Sequence, residues 1–332
     1  MSLDIDPAAG TDVAVAPVGI TRRRSRPVRL PRSPKILCGL GLLAFFVILA
    51  VVGPWLAPYD PTAVGTDLLA PPSAAHWLGT TQSGQDVLSQ LLIGTRPTVL
   101  IGFLAGAIAT VLSVVIGISA GYIGGLVDDL LSLVTNVFLV VPSLPLLIVL
   151  GAYLPQGTGS NPFVIALIIS ITGWAYGARV LRAQTLSMRR RDFVESARVI
   201  GEPRRRIIAA EILPNLAAIV TSSFLFTVLY AIGTYVALAF LGVVDVSHWS
   251  WGTILFWSES QNAAQVNAWW WFVPPGLAIA LLGTSLALIN FGIDEFINPR
   301  LRSAGVSRKV ARRTGLPKRS KLGLTPVLGG RR

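Results

Sequence analysis

The amino-acid sequence predicts an all-α membrane protein that crosses the bilayer about six times. Three observations predict it. Of 332 residues, 52% are hydrophobic and only 13% are charged, against about 25% charge in an ordinary soluble domain. The deficit is concentrated, because several windows of about 20 residues carry no charge at all, the length a helix needs to cross a hydrocarbon core of about 30 Å. A soluble core seldom keeps a helix apolar on every face for that length. The third observation is the spacing of the basic residues, which alternates with the apolar windows.

Residues 1–35 read as a disordered basic arm. Pro, Ala and Gly are frequent, no hydrophobic period is present, and the run from Arg22 to Lys35 is too basic to fold on itself. Spans are expected at about 36–57, 98–120, 126–153, 163–178, 216–242 and 270–292. The first follows positive charge, as a signal peptide would, but it is long enough to span and further spans follow it. A polar, Pro-rich connection is expected over 58–97. The third span is irregular. Asp128 and Asp129 sit at its mouth, where they can cap a helix start, Asn136 lies inside it, and Pro142 and Pro145 interrupt it. A neighbouring chain or a cavity must satisfy the backbone groups that the prolines release. Gly102, Gly106, Gly117, Gly121, Gly124 and Gly125 lie in or beside the second span, where small residues let helices approach closely. The tail over 301–332 is basic, with too few apolar residues for a core.

Charge then orients the chain. Of 28 Lys and Arg residues, seven precede the first span, nine fall between the fourth and fifth, and eleven fall from Arg300 onward. With six spans these groups share one side, and Arg96 alone lies on the other. The positive-inside rule makes that side cytoplasmic, with both ends of the chain on it. The net charge of +12 is thereby explained by anionic lipid headgroups, without nucleic acid as a partner.

Several chemistries are excluded or disfavoured. The lone Cys38 cannot form an internal disulfide, and His76 and His248 stand in separate loops, so no metal site is expected. No GxxxxGK[ST] phosphate loop is present. The acids and histidines do not form a nucleophile and base, so the chain reads as a non-enzyme without a cofactor of its own. His248, Trp249, Trp251, Trp257 and Trp269 to Trp271 fall in or beside the last external segment, where tryptophans read mainly as an interfacial aromatic belt.

Residues 189–215, RRRDFVESARVIGEPRRRIIAAEILPN, carry the functional signal. They predict a helix from Asp192 to about Ile200, a turn at Gly201, and a second helix from about Pro203, a residue suited to a first helical turn. Pro214 marks the junction with the fifth span. Two short helices at an angle make a protrusion on the membrane face.

This stretch resembles the EAA loop of bacterial ABC-transporter permeases, through Glu195, Ser196, Ala197, Gly201 and then Ile212, Leu213 and Pro214, with Ser196 in place of the second alanine. The resemblance covers about residues 36–303 and narrows to the dipeptide/oligopeptide (DppC/OppC-like) permeases. His76, Gly79, Thr80, Gly84 and Asp86 match a signature before span two, with departures at Thr81 and Gln85. Gly121, Tyr122, Gly124, Gly125 and Asp128 match the turn into span three, where Asn136 replaces a frequent Asp. Trp251, Gly252, Pro274, Pro275 and Gly276 fit the end of the fold, and NFGIDEFINPR diverges somewhat from the usual final segment.

The resemblance implies a type I ABC importer transmembrane-domain fold in a bacterial plasma membrane. It implies a DppB/OppB-like permease as heterodimer partner, two ATPase subunits that bind ATP and Mg, and an external substrate-binding protein. The helix before Gly201 would be the coupling helix that meets an ATPase. Peptides are the expected cargo, with nickel or another small solute as the alternative. A secondary transporter or channel predicts charged groups at mid-depth, where the spans have almost none. A non-transport scaffold leaves the glycine and proline spacing of the loop unexplained.

Overall fold

A computed structural model describes residues 34–153, 155 and 158–297, and every regular element among them is helical. The tail over 301–332 and all of the basic arm except Pro34 and Lys35 lie outside the described residues. Five helices are long and apolar enough to cross a membrane: α1 (Pro34–Leu56), α2 (Val87–Ile123), α5 (Pro162–Met188), the continuous stretch Arg204–Phe240, and α10 (Trp269–Ile297). Within Arg204–Phe240, a short turn α7 (Arg204–Arg206) leads through a π-helical turn (Ile207–Ile212) into α8 (Leu213–Phe240).

The third expected span is a broken pair, α3 (Gly125–Val140) and α4 (Ser143–Ala152), bent by 88°. The break follows from Pro142, whose ring disfavours helical geometry at the residue before it. Val141 is extended, with ψ 125°, and Pro142 opens α4 at ψ 116°. The pair nevertheless travels from one end of the bundle to the other. Near its start Asp128 binds Arg182, close to the C-terminal end of α5, whereas Gly151 of α4 abuts Val243, just beyond the C-terminus of α8. The two C-termini are at opposite ends, because Leu181 of α5 packs with Ile212 and Leu216 at the start of α8. The bent pair is therefore one crossing, and the count is six.

Helix α2 is the central strut. Gly117 and Gly121 bring it against Ala178, Arg182 and Thr185 of α5, and Gly106 brings it against Val228 of α8. The Ser113 hydroxyl donates across to the Trp174 carbonyl at 2.7 Å. On the other flank α1 and α10 pack antiparallel, with Gly39 against Ile289 and Gly292 against Ile36. The start of α1 and the end of α10 thus meet at the same end of the bundle as the segment between α5 and α8.

Three boundaries differ from the sequence reading. The connection expected over 58–97 is helical from Val87, because Asp86 caps α2 and accepts from the Ser89 amide. Pro97 is carried inside that helix. Helix α5 continues to Met188, so the first ten residues of the expected loop 179–215 extend the bundle helix. Its last residues do the same from Arg204. The loop proper shrinks to about 189–203. A helix outside the spans, α9 (Trp251–Ser260), was not anticipated; Ser250 and Thr253 form a capping box at its start.

Candidate functional site

Between Met188 and Arg204 the chain leaves the bundle, makes α6 (Asp192–Val199), and returns. Only Val194 of α6 is fully buried. It enters an apolar cluster with Ile118 and Tyr122 of α2, Leu181 of α5, Ile207 and Ile212 of the π turn, and Leu216 of α8. This one side chain ties the protruding helix to three bundle helices. Val194 was not singled out in the sequence, and its neighbour Phe193, equally apolar there, is exposed, so only the packing tells the two apart.

The remaining face of α6 is open. Glu195 and Ser196 are exposed and Ala197 is half-buried. Val199 and Ile200 are 88% and 78% exposed, an unusual position for apolar side chains outside the membrane-spanning helices. A groove of about 350 Å³ runs between α6 and the π turn, lined by Phe193, Ser196, Ala197, Ile200, Glu202, Arg206, Ile207 and Glu211. Arg206 forms an ion pair with Glu202 at its edge. Glu195 makes no ion pair among the described residues.

Gly201 ends α6 with φ +86°, a region open to glycine at little cost. A Cβ there would meet nothing within 4 Å, so backbone conformation alone demands the glycine. Pro203 is extended (ψ 145°) and precedes the first helical residue, Arg204; it stands one position before the expected first turn. Pro214 does not end the helix as a junction. Lacking an amide donor, it would break an α-helical ladder. Here the preceding turn widens to π geometry, and the Leu213 amide donates to Ile208 O. The Asn215 side chain donates to Glu211 O at 2.6 Å. The widened turn keeps α7 and α8 continuous as one stretch, Arg204–Phe240. Ile212 is buried in the cluster and Leu213 packs on it.

The second motif group lies beside the loop. Gly124 (φ +74°) and Gly125 (φ +58°) turn the chain from α2 into α3, and Tyr122 is buried in the apolar cluster around Val194. Asp128 does not cap α3, as the sequence allowed. It accepts from Nε and Nη2 of Arg182 at 2.5 and 2.7 Å and from Ser132, because a bidentate guanidinium outcompetes a local cap.

The third group gathers at the opposite end. Asp86 is 3% exposed. It accepts from the Ser89 amide and hydroxyl at 2.8 and 2.7 Å, and stands 3.0 Å from His76 Nδ1. Thr80 donates to Asp67 O and accepts from the Ala70 amide. Gly79 and Gly84 take positive φ, and Trp270 Nε1 donates to Thr80 O. These residues are a folded knot that fixes the start of α2. Asp86→Ala is expected to lower the thermal midpoint of the detergent-solubilised chain, since losing a cap alone costs about 1 kcal/mol. Asp86→Asn, which still caps, should lose less. Outside the spans, Asp245 is held below the usual carboxylate range by the Ser247 hydroxyl and amide, then by His248.

Trp251 and Gly252 belong to the same end. The aromatic-belt reading fails for Trp251 and Trp271, which are 0% and 2% exposed; Trp251 donates to Leu91 O and Thr95 Oγ1 of α2. Trp269, at 55% exposure, is consistent with the belt reading. Gly252 lets α9 touch α8, where a Cβ would lie 2.5 Å from Ala239 Cβ. Pro274 and Pro275 lie inside the first turns of α10, next to Gly276.

A cavity of about 320 Å³ opens at the α3–α4 break, walled by Phe138 to Ser143, by Thr172, Gly173 and Tyr176 of α5, and by Phe226, Thr227 and Tyr230 of α8. It is the feature that sequence reading could not locate, because its walls come from three separated segments. Thr172 and Tyr230 share a hydrogen bond of 3.1 Å across it.

Comparison with known proteins bears on these features. Residues 113–303 match the family described as the binding-protein-dependent transport system inner membrane component, and residues 29–72 match the N-terminal TM domain of oligopeptide transport permease C. A Brucella abortus protein named as a peptide transport system permease is 33% identical over 301 residues, covering 89% of this chain and 96% of that protein. The oligopeptide transport system permease protein OppC of Mycobacterium tuberculosis is 32% identical, covering 83% and 94%. The dipeptide transport system permease protein DppC of Bacillus subtilis is 29% identical, covering 82% and 84%.

Proposed function

Since this chain belongs to the family of binding-protein-dependent transport system inner membrane components, we propose that it is the translocating subunit of an ATP-driven importer of dipeptides or oligopeptides. The names of its relatives support the peptide cargo. A DppB/OppB-like permease completes the pore, two ATPase subunits bind ATP and Mg, and an external binding protein delivers substrate. The chain itself performs no bond chemistry. The end of the bundle that carries α6 faces the cytoplasm, with both termini, in keeping with the clustering of the basic residues there.

The observation that carries the reading is the packing of α6 on the continuous α7–α8 stretch. Closure of two ATPases has to reach the bundle as a rigid displacement. Val194 fixes α6 on the cluster, the exposed Glu195, Val199 and Ile200 offer it a docking face, and the π turn passes the load to α8 without a hinge. Helix α8 walls the cavity through Phe226, Thr227 and Tyr230, so its tilt alters the passage directly. Inward release follows hydrolysis and the return of α8.

A mild-detergent pull-down of the chain from its native membrane, with crosslinking and mass spectrometry, tests this. Recovery of a second permease and ATPases, crosslinked near residues 192–206, is the expected result. A chain that purifies alone, and transports in liposomes without ATP, is a secondary transporter or channel instead.

A further inference from the structure

Two arginines on the C-terminal half of α5 and a third just beyond its end reach toward α2 and α3, and their partners differ. Arg182 is neutralised by both oxygens of Asp128. Arg189 donates to the Gly121 carbonyl. Arg179 donates through Nη2 to the neutral amide oxygen of Asn136 at 3.1 Å, and no carboxylate lies within ion-pair distance of it among the described residues. A guanidinium has five N–H donors and no acceptor. Arg179 therefore carries an uncompensated charge with donors to spare, and it is exposed.

Its position gives that charge a role. Tyr176, one turn earlier on α5, and Phe138, two residues after Asn136 on α3, both wall the cavity at the helix break. The Arg179–Asn136 bond thus bridges α5 and α3 on the side of the cavity nearer α6. Anything leaving the cavity toward that end passes a free guanidinium.

We infer that Arg179 receives the terminal carboxylate of the peptide as it leaves the cavity, with Asn136 holding the guanidinium in place without neutralising it. The inference rests on the peptide-importer reading above. A planar guanidinium matches a carboxylate in a two-point fork. The bond to Asn136 uses one donor and leaves others for the fork.

The test uses the complete importer, this chain with its partner subunits, in proteoliposomes, with a labelled free-acid dipeptide. Arg179→Gln and Asn136→Asp remove the free charge in different ways. Each is expected to lower kcat for uptake about tenfold, the worth of one charge-assisted hydrogen bond. Asn136→Ser leaves the guanidinium free and should stay within about twofold of wild type, whereas Arg179→Lys keeps a cation without the planar fork and should fall between the two groups. If the bond only ties α3 to α5, the order reverses: Asn136→Asp strengthens the tie and is harmless, whereas Asn136→Ser weakens it and slows uptake. That reversal overturns the inference, as does indifference to all four substitutions. So does a defect that follows the fraction of anionic lipid in the vesicles, which would assign the charge to headgroup phosphates. A wild-type importer that takes up no peptide overturns the peptide reading itself, before any variant is compared.

Discussion

Gly201→Val is expected to leave the chain inserted in the membrane at normal level while uncoupling ATP hydrolysis from uptake. At φ +86° a β-branched side chain is a steric outlier, and such strain costs on the order of 1–3 kcal/mol. No neighbouring atom approaches the position, so the strain has nothing to do with packing. It is relieved most cheaply by opening the turn, which swings α6 away from its angle to α7. Insertion depends on the apolar helices and is untouched. The push on α8 depends on that angle and is lost. Immunoblotting of membranes, peptide uptake and ATPase activity in the assembled importer measure the three quantities separately. Gly201→Asn, a residue that tolerates the left-handed region, should retain much more uptake. Normal uptake by the Val variant at normal expression would remove α6 from the coupling role.

Trp251→Ala should produce the largest loss of stability. The side chain is fully buried, its indole nitrogen donates to Leu91 O and Thr95 Oγ1, and its ring meets Phe46 edge-on with centroids 5.5 Å apart. Its backbone amide also donates to Thr98 Oγ1. It therefore joins α9 to α1 and α2 at once. Truncating a buried Trp costs about 3–5 kcal/mol through lost contacts and the cavity left behind. The expected outcome is a large drop in the thermal midpoint of the purified chain and failure to assemble. Trp251→Phe keeps the ring contact and loses only the donor, so it should fall between. A Trp251→Ala chain that melts like wild type would show that α9 is a passive external cover.

The two variants probe opposite ends of the molecule, and the sequence was unequally informative about them. The loop around Gly201 was legible because its determinants are local. A glycine, two prolines and a short run of charge specify a turn between helices, whatever surrounds them. The same holds for the break in the third span, since Pro142 acts on its own neighbour, Val141. The external end was misread because tryptophan in a polar segment beside a span ordinarily means the membrane interface. Nothing near Trp251 in the chain announces that its partners are Phe46, Leu91, Thr95 and Thr98. Likewise Asp128 stood in the right place for a cap, and its real partner, Arg182, is 54 positions away.

By itself, then, the sequence determined that this protein is a bundle of about six apolar helices with its basic segments on one side, and that a short helix closed by a glycine turn protrudes there. The second helix it assigned to the protrusion is the start of the fifth span. Hydropathy, charge placement and turn chemistry act over a few residues to one span length, and are written along the chain. Tertiary structure alone decided that Val194 locks α6 to three helices, and that a π turn absorbs Pro214 so the fifth span starts at Arg204. It also decided that Asp86 starts α2 well before the apolar run, and that Arg179 is left with a neutral partner while Arg182 is neutralised. Each of these depends on which side chain a distant helix presents at close range. Helix packing sets those distances, and no local pattern carries them.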